Sequence, residues 1–396
     1  MTGRRRHRWW AFPVLAFSLV ACGGTGTTPS KAELNLTAGQ VPPDDEAMPA
    51  DQGASSSAPG GSEPPGLGGL TPMAPDDPTK LVLAFAGDIH FEDYLAPVAR
   101  DPHGLAALRA LWPDADLRMA NLETAITERG TRQVKAFTFR APESALTTLK
   151  NAGLGALSMA NNHGVDFGPQ GLADTLAAIS RSPVPVVGIG ADERSAFAPR
   201  IVKADGVTIA LLAASQVQEE TLARFSASPS SGGIASAVPT TRLVAAVRAA
   251  RAQADVVIVF LHWGIDYQEC ADARSKQTAT ELEAAGADVI VGAHSHRVGG
   301  AGWLGRSYVA YGLGNFVWWR SVEPDSRTGI LRLTIDPTIA RQPPAQRTKA
   351  IVQQADWQPL LIGRDGIPAR PPDADATRLH TLWEQAGACS GVASAP

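Results

Sequence analysis

Five short stretches of the chain carry side chains able to hold a divalent cation. They are Asp88-Ile89-His90, Asn121-Leu122-Glu123, Asn161-Asn162-His163, His262-Trp263-Gly264 and Gly292-Ala293-His294-Ser295-His296. A carboxylate and an imidazole two residues apart, as in Asp88 and His90, can reach one ion. The two oxygens of Glu123 could bridge two cations, and an asparagine side-chain oxygen can serve as a neutral ligand. Gly292 allows a tight turn, after which His294 and His296 can face one centre. Each stretch alone also has an ordinary reading: a turn aspartate beside a surface histidine, capping asparagines, or a hydrogen-bonded core histidine. The chain has only eight histidines, one of them near the N-terminus, so their clustering with acids points to a metal centre.

Every one of these stretches follows an apolar run. Lys80 to Ala86 reads as a buried strand ending at Gly87-Asp88, and Leu117 to Ala120 precedes Asn121. Strands are likewise expected over Gly155 to Met159, Val184 to Val187, Val207 to Ala214, Asp255 to Leu261, Ala287 to Val291 and Ser307 to Tyr311. Gly171, Leu172, Leu176 and Ile179 share one helical face; Leu243, Val244, Val247 and Ala250 share another; a third helix is expected over Gln277 to Ala285. No internal repeat of solenoid period is present. The pattern is that of an α/β fold with its chemistry at the C-terminal ends of strands.

The chain has 396 residues, of which 44% are hydrophobic, and suits one large domain with tails. A net charge of −4, with basic residues scattered beyond the first eight positions, provides no field for holding nucleic acid. Residues 1–22 read as a signal peptide: a basic start, then the apolar run Trp9 to Val20, too short to span a bilayer core of about 30 Å. The ending Leu19-Val20-Ala21-Cys22 resembles a lipobox, which makes Cys22 the acyl acceptor and predicts an exported protein, lipid-anchored to a bacterial membrane on its extracytoplasmic side. Residues 23–78, rich in Gly, Ser and Pro, should form a flexible tether. Cys270 and Cys389 remain; in an oxidising compartment they can pair if the fold brings their Cα atoms within about 7 Å.

The order D-x-H, E, N-H, H, H-x-H resembles that of the calcineurin-like metallophosphatases. Over Gly87 to Trp319 the chain is similar, more narrowly, to the poly-gamma-glutamate capsule biosynthesis protein (CapA) family, a branch of that fold. The resemblance rests on Asn121-Leu122-Glu123, the stretch Ala160 to Gly171, His262-Trp263-Gly264, Gly292 to His296, and Tyr311-Gly312-Leu313-Gly314-Asn315-Phe316. Asp266 stands where the pattern has Glu, and Ser295 where Pro is common. The resemblance implies a two-sheet sandwich flanked by helices, layered α/β/β/α, over residues 79–335, with residues 336–396 an extension packed on it. It implies two divalent ions (Mn, Fe or Zn): Asp88, His90 and His296 on the first, Asn162, His262 and His294 on the second, and Glu123 bridging. His163 resembles the general acid of such centres, with Asn161, Asp166 and Asn315 in support. Trp263, Trp318 and Trp319 could form a stacking wall or pack in the core. The activity implied is phosphoester-type hydrolysis in capsule or poly-gamma-glutamate metabolism. The alternative is a non-catalytic component of polymer synthesis or export. Expected partners are the membrane, an anionic or carbohydrate envelope polymer and other capsule-synthesis proteins.

Overall fold

The structure, a computed structural model, describes residues 79–396. The expected signal peptide, Cys22 and the tether over 23–78 lie outside the described residues. An eight-stranded sheet is organised around Leu81–Ile89, which is buried at every position. Leu117–Leu122, Ala156–Ser158 and Val186–Val187 extend the sheet in parallel on one side; Arg327–Ile335, Val352–Ile362 and Pro368–Ala369 extend it in antiparallel fashion on the other. Asn315–Val317 pairs with the C-terminal end of Leu81–Ile89, setting Asn315 opposite Asp88.

The second sheet has six strands, in the order Ala301–Leu304, Ser307–Ala310, Val289–His294, Val256–Trp263, Val207–Ser215 and Arg200–Ala204. Its central strands are parallel and buried on both faces, which is why their sequences run apolar without alternation. The two faces nevertheless have different neighbours. Ile258 and Phe260 join Leu211 and Val291 in a core shared with Leu83, Phe85 and Met119 of the first sheet. Val257, Val259 and Leu261 pack instead with Leu243, Val247 and Leu282, from the helices Thr241–Arg251 and Ala273–Ala285. Each large side chain removed from water in this way contributes about 1.5–3 kcal/mol. Helices Ser144–Asn151 and Gly168–Ser180 bury Leu146, Leu149 and Leu172 beside the first sheet. The architecture is thus the expected two-sheet sandwich flanked by helices.

Residues 336–396 supply the long strand Val352–Ile362 and the helix Asp373–Ser390. A disulfide links Cys270 to Cys389, with Cα atoms 5.5 Å apart, and ties that helix to the loop preceding Ala273–Ala285.

Candidate metal centre

Both sheets deliver side chains to one place. Asp88 lies at the end of Leu81–Ile89 and His90 just beyond it; Glu123 follows Leu117–Leu122, its amide bonded to the Ile89 carbonyl at 2.8 Å. From the second sheet come His262 and His294, on adjacent parallel strands, and His296 in the turn that follows. That turn is tightly held. His294 and His296 adopt φ of 93° and 54°, a region that histidine enters at a cost of about 1–3 kcal/mol and that concentrates at functional sites. A Cβ on Gly292 would stand 2.1 Å from the Tyr311 carbonyl oxygen and 2.2 Å from Trp263 Nε1, so glycine is required there. Gly87 is equally constrained: its Cβ would meet the Gly314 carbonyl oxygen at 1.8 Å. The same carbonyl accepts the Asp88 N–H at 3.0 Å, so the glycines of Tyr311 to Phe316 bring backbone against the acid that faces the histidines.

The ligand-type atoms gather in three overlapping groups, each within 4.8 Å: Asp88, Glu123 and His296; Glu123, His262 and His294; and Asp266, His294 and His296. Glu123 belongs to the first two, between the sets that the sequence resemblance assigns to separate ions. It is fully buried; His262 Nε2 and His163 Nε2 stand 3.6 and 3.7 Å from its Oε1, and it faces Asp88, a second acid with which it can share a hydrogen bond only when one of the two is protonated. Burial, then repulsion from Asp88, raises its pKa well above the usual carboxylate range. Burial likewise pushes Asp88 up to about 7, against hydrogen bonds from Asn121 Nδ2 at 2.8 Å and the His294 N–H at 3.1 Å. Burial also depresses the surrounding imidazoles: His294 and His296 fall to about 3, and His90 and His262 lie well below the ordinary histidine value. Neutral rings facing carboxylate oxygens form a donor set suited to a divalent cation.

Hydrogen bonds fix which nitrogen each ring presents. His296 Nδ1 donates to Asn315 Oδ1 at 2.9 Å, leaving Nε2 as a lone pair. His294 Nε2 lies 3.1 Å from Asp266 Oδ1, and its Nδ1 is buried without a partner among the described residues. His262 Nε2 bonds Asn162 Oδ1 at 2.8 Å, so two proposed ligands of one ion face each other directly. His90 is different. Its Nδ1 accepts the Glu92 N–H at 3.1 Å, which places the proton of a neutral ring on Nε2, and it lies in none of the three groups. It would have to surrender that bond to offer Nε2 to an ion.

His163 is held in place by a buried carboxylate. Its Nδ1 donates to Asp166 Oδ2 at 2.6 Å, and Nε2 points to Glu123 Oε1 at 3.7 Å. Asp166 also accepts the Phe139 N–H at 2.7 Å and pairs with Lys135 Nζ at 3.1 Å. Phe139 is sandwiched between the rings of His90 and His163, with centroids at 4.6 and 4.1 Å. Burial lowers the His163 pKa, and the adjacent Asp166 opposes that shift. Asn161 accepts the His163 N–H at 3.1 Å and donates to Asn121 and the Leu122 carbonyl, so the supporting residues named from the sequence all touch site histidines.

Other participants were not singled out from the sequence. Asn121 bonds Asp88 and approaches His262 Nδ1 at 3.3 Å; it stood inside a quoted motif, and its position beside Glu123 was the available signal. Asp266, noted only as a departure from the family pattern, contacts His294. Lys135, which also donates to the Asn162 carbonyl at 2.7 Å, and Glu219, which accepts from Asn162 Nδ2 at 2.9 Å, come from polar segments without a distinguishing pattern. The tryptophans divide. Trp263 is buried against Tyr311, whereas Trp318 and Trp319, with Phe137 and Tyr267, border a cleft of about 50 Å³ that reaches His163, His296 and Asn315.

Fold and site together define a two-sheet α/β sandwich with a buried histidine–carboxylate centre at its strand ends. The family model described as "Bacterial capsule synthesis protein PGA_cap" matches residues 82–318, and the chain belongs to that family. It is 29% identical over 245 residues to the PGA biosynthesis protein CapA of Bacillus subtilis, covering 60% of this chain and 63% of that protein. It is also 29% identical over 177 residues to the capsule biosynthesis protein CapA of Bacillus anthracis, covering 45% and 43%. The chain thus spans less than two thirds of the length of these relatives. Among solved structures, a phosphatase of Mycoplasma pneumoniae aligns over 76% of this chain and 99% of its own, at 14% identity and a TM-score of 0.44.

Proposed function

We propose that this chain is a metal-dependent hydrolase of phosphoester type serving capsule or poly-gamma-glutamate metabolism, exported and lipid-anchored through Cys22. The observation that carries the reading is Glu123, a fully buried carboxyl shared by two groups of ligand-type atoms, with Asp88 and His296 in one and His262 and His294 in the other. An unpaired buried charge is costly, and a cation supplies its missing partner. Divalent ions held there would polarise a phosphoryl oxygen and acidify a water.

The chain's own groups perform the rest. Asn315 orients His296, and Asn121 orients Asp88, so the donors are held before an ion arrives. Asp166 keeps the His163 proton on Nδ1 and stabilises the imidazolium that forms when Nε2 takes a second proton for delivery to the leaving oxygen. Phe139 stacks on His163 and Trp318 packs on His296, with ring centroids 4.1 and 4.8 Å apart, so apolar rings flank both imidazoles.

Metal analysis of the full chain, paired with hydrolysis of bis(p-nitrophenyl) phosphate, tests the reading. His262→Ala and His296→Ala should each reduce metal content and abolish turnover, since they remove donors from different groups. His163→Ala should retain metal and lose about 10²- to 10⁴-fold in rate. Bound metal without phosphoesterase activity would transfer the reading to a binding component of polymer synthesis. Absence of metal would reject the centre.

A further inference from the structure

A large cavity lies away from the metal centre. It encloses about 880 Å³, shares no lining residue with that centre, and lies where Ala301–Leu304 faces Arg327–Ile335 and Val352–Ile362. The helix Asp373–Ser390 closes it, and the tail is pinned across it by paired bonds between the Trp303 and Ala393 backbones, at 2.8 and 2.9 Å. Most of its lining comes after residue 318, where the family match ends. The segment that follows the family region therefore builds a pocket of the size that small ligands occupy.

Its chemistry narrows the occupant. Trp357 and Trp383 stack at 5.7 Å with 23° between their planes, and Trp303 adds a third indole to the lining. Around these rings stand hydrogen-bonding groups of both signs. Arg332 and Asp356 pair across neighbouring strands at 3.4 Å, with Arg370 and Glu384 among the polar groups nearer the surface. Two arginines face three carboxylates in the lining, so the pocket holds no excess positive charge to attract an anionic polymer. A purely apolar ligand would cover the exposed Arg370, Asp373 and Glu384 without bonding them. A sugar ring satisfies both demands: its C–H face packs on indole, while its hydroxyls donate to carboxylates and accept from guanidinium.

We propose that this pocket binds a neutral saccharide, of di- to trisaccharide size, independently of the metal centre. The full chain should be titrated with cellotriose, maltotriose and chitotriose, and with a γ-linked glutamate oligomer as the anionic comparison, following tryptophan fluorescence and binding heat. Saturable binding of at least one neutral trisaccharide is expected, weakened at least tenfold by Trp383→Ala and at least threefold by Glu384→Gln. Metal content should be unchanged in both variants. Glu384 is largely exposed, so its variant keeps the test valid if Trp383→Ala does not fold. No saturable binding of any neutral probe, equal binding by the folded variants, or preference for the glutamate oligomer would each overturn the proposal.

Discussion

Asp166 and Glu123 are both fully buried carboxylates beside the ring of His163, yet one is paired with a lysine and the other faces a second acid. Asp166 accepts from the Phe139 amide and His163 Nδ1 and pairs with the ammonium of Lys135. Glu123 instead faces Asp88, a second acid, and imidazoles that burial keeps neutral. Asp166 therefore belongs to a finished network whose task is to hold a ring in place. The arrangement around Glu123 lacks such a counter-charge, which a cation would supply, and it is the open half of the site.

The largest effect should come from the open half. Glu123→Gln should lower metal affinity and reduce phosphoesterase activity by about 10³-fold or more, the scale of several kcal/mol of lost transition-state stabilisation. The cation-stripped variant should nevertheless melt no lower than the cation-stripped parent, because an amide is cheaper to bury than a charge. The pH dependence has a definite sign. Because the folded Glu123 carboxyl has a raised pKa, its contribution to stability is lost as pH rises through that folded value. The melting advantage of Glu123→Gln should therefore be larger at pH 8 than at pH 5. A variant less stable than its stripped parent at pH 8 would mean that Glu123 is paired in solution.

Asp166→Asn tests the finished half and should act in the opposite way on stability. Removing one partner of a buried pair leaves Lys135 with the Asn162 carbonyl and the more distant Glu219 at 3.7 Å, at a cost of up to about 3–5 kcal/mol. Metal content should hold, while turnover falls about 10²-fold as His163 loses the acceptor that fixes its tautomer. Loss of metal in a folded Asp166→Asn protein would show that the two halves are not separable.

The open half was far more legible in the sequence than the finished half. Asp88, Glu123, His262, His294 and His296 are residue types with few other uses at the ends of buried strands, and Gly292 marks the turn that needs no side chain. The strands themselves were readable because burial on both faces leaves unbroken runs such as Val256 to Leu261. Lys135 was not readable. A lysine in a polar loop usually faces water, and only the tertiary path of that loop buries it beside Asp166 and the Asn162 carbonyl. Asp266 was visible but had no assigned task until the loop after Gly264 brought it to His294. The tautomer of His90 depends on the Glu92 amide two residues on, a backbone detail that residue types do not encode.

The smallest effect on the site should come from the disulfide, although it ends in the loop that carries Asp266. Cys270 lies four residues after Asp266, but other restraints also hold that loop. The Tyr267 N–H donates to the Ser295 carbonyl at 2.7 Å, and Asp272 caps the helix Ala273–Ala285 by accepting the Arg274 and Ser275 amides. Losing the bridge leaves both restraints in place, and the Ala271 N–H still donates to Ser390 Oγ of the helix Asp373–Ser390 at 3.2 Å. Cys389→Ser should therefore cost about 2–4 kcal/mol of stability, since the bridge closes a long loop, and lower the melting temperature by several degrees. Phosphoesterase activity at 25 °C should change less than about threefold, below the 1.4 kcal/mol that separates a tenfold effect. A larger loss of activity in the folded variant would mean that the bridge itself sets the distance between Asp266 and His294.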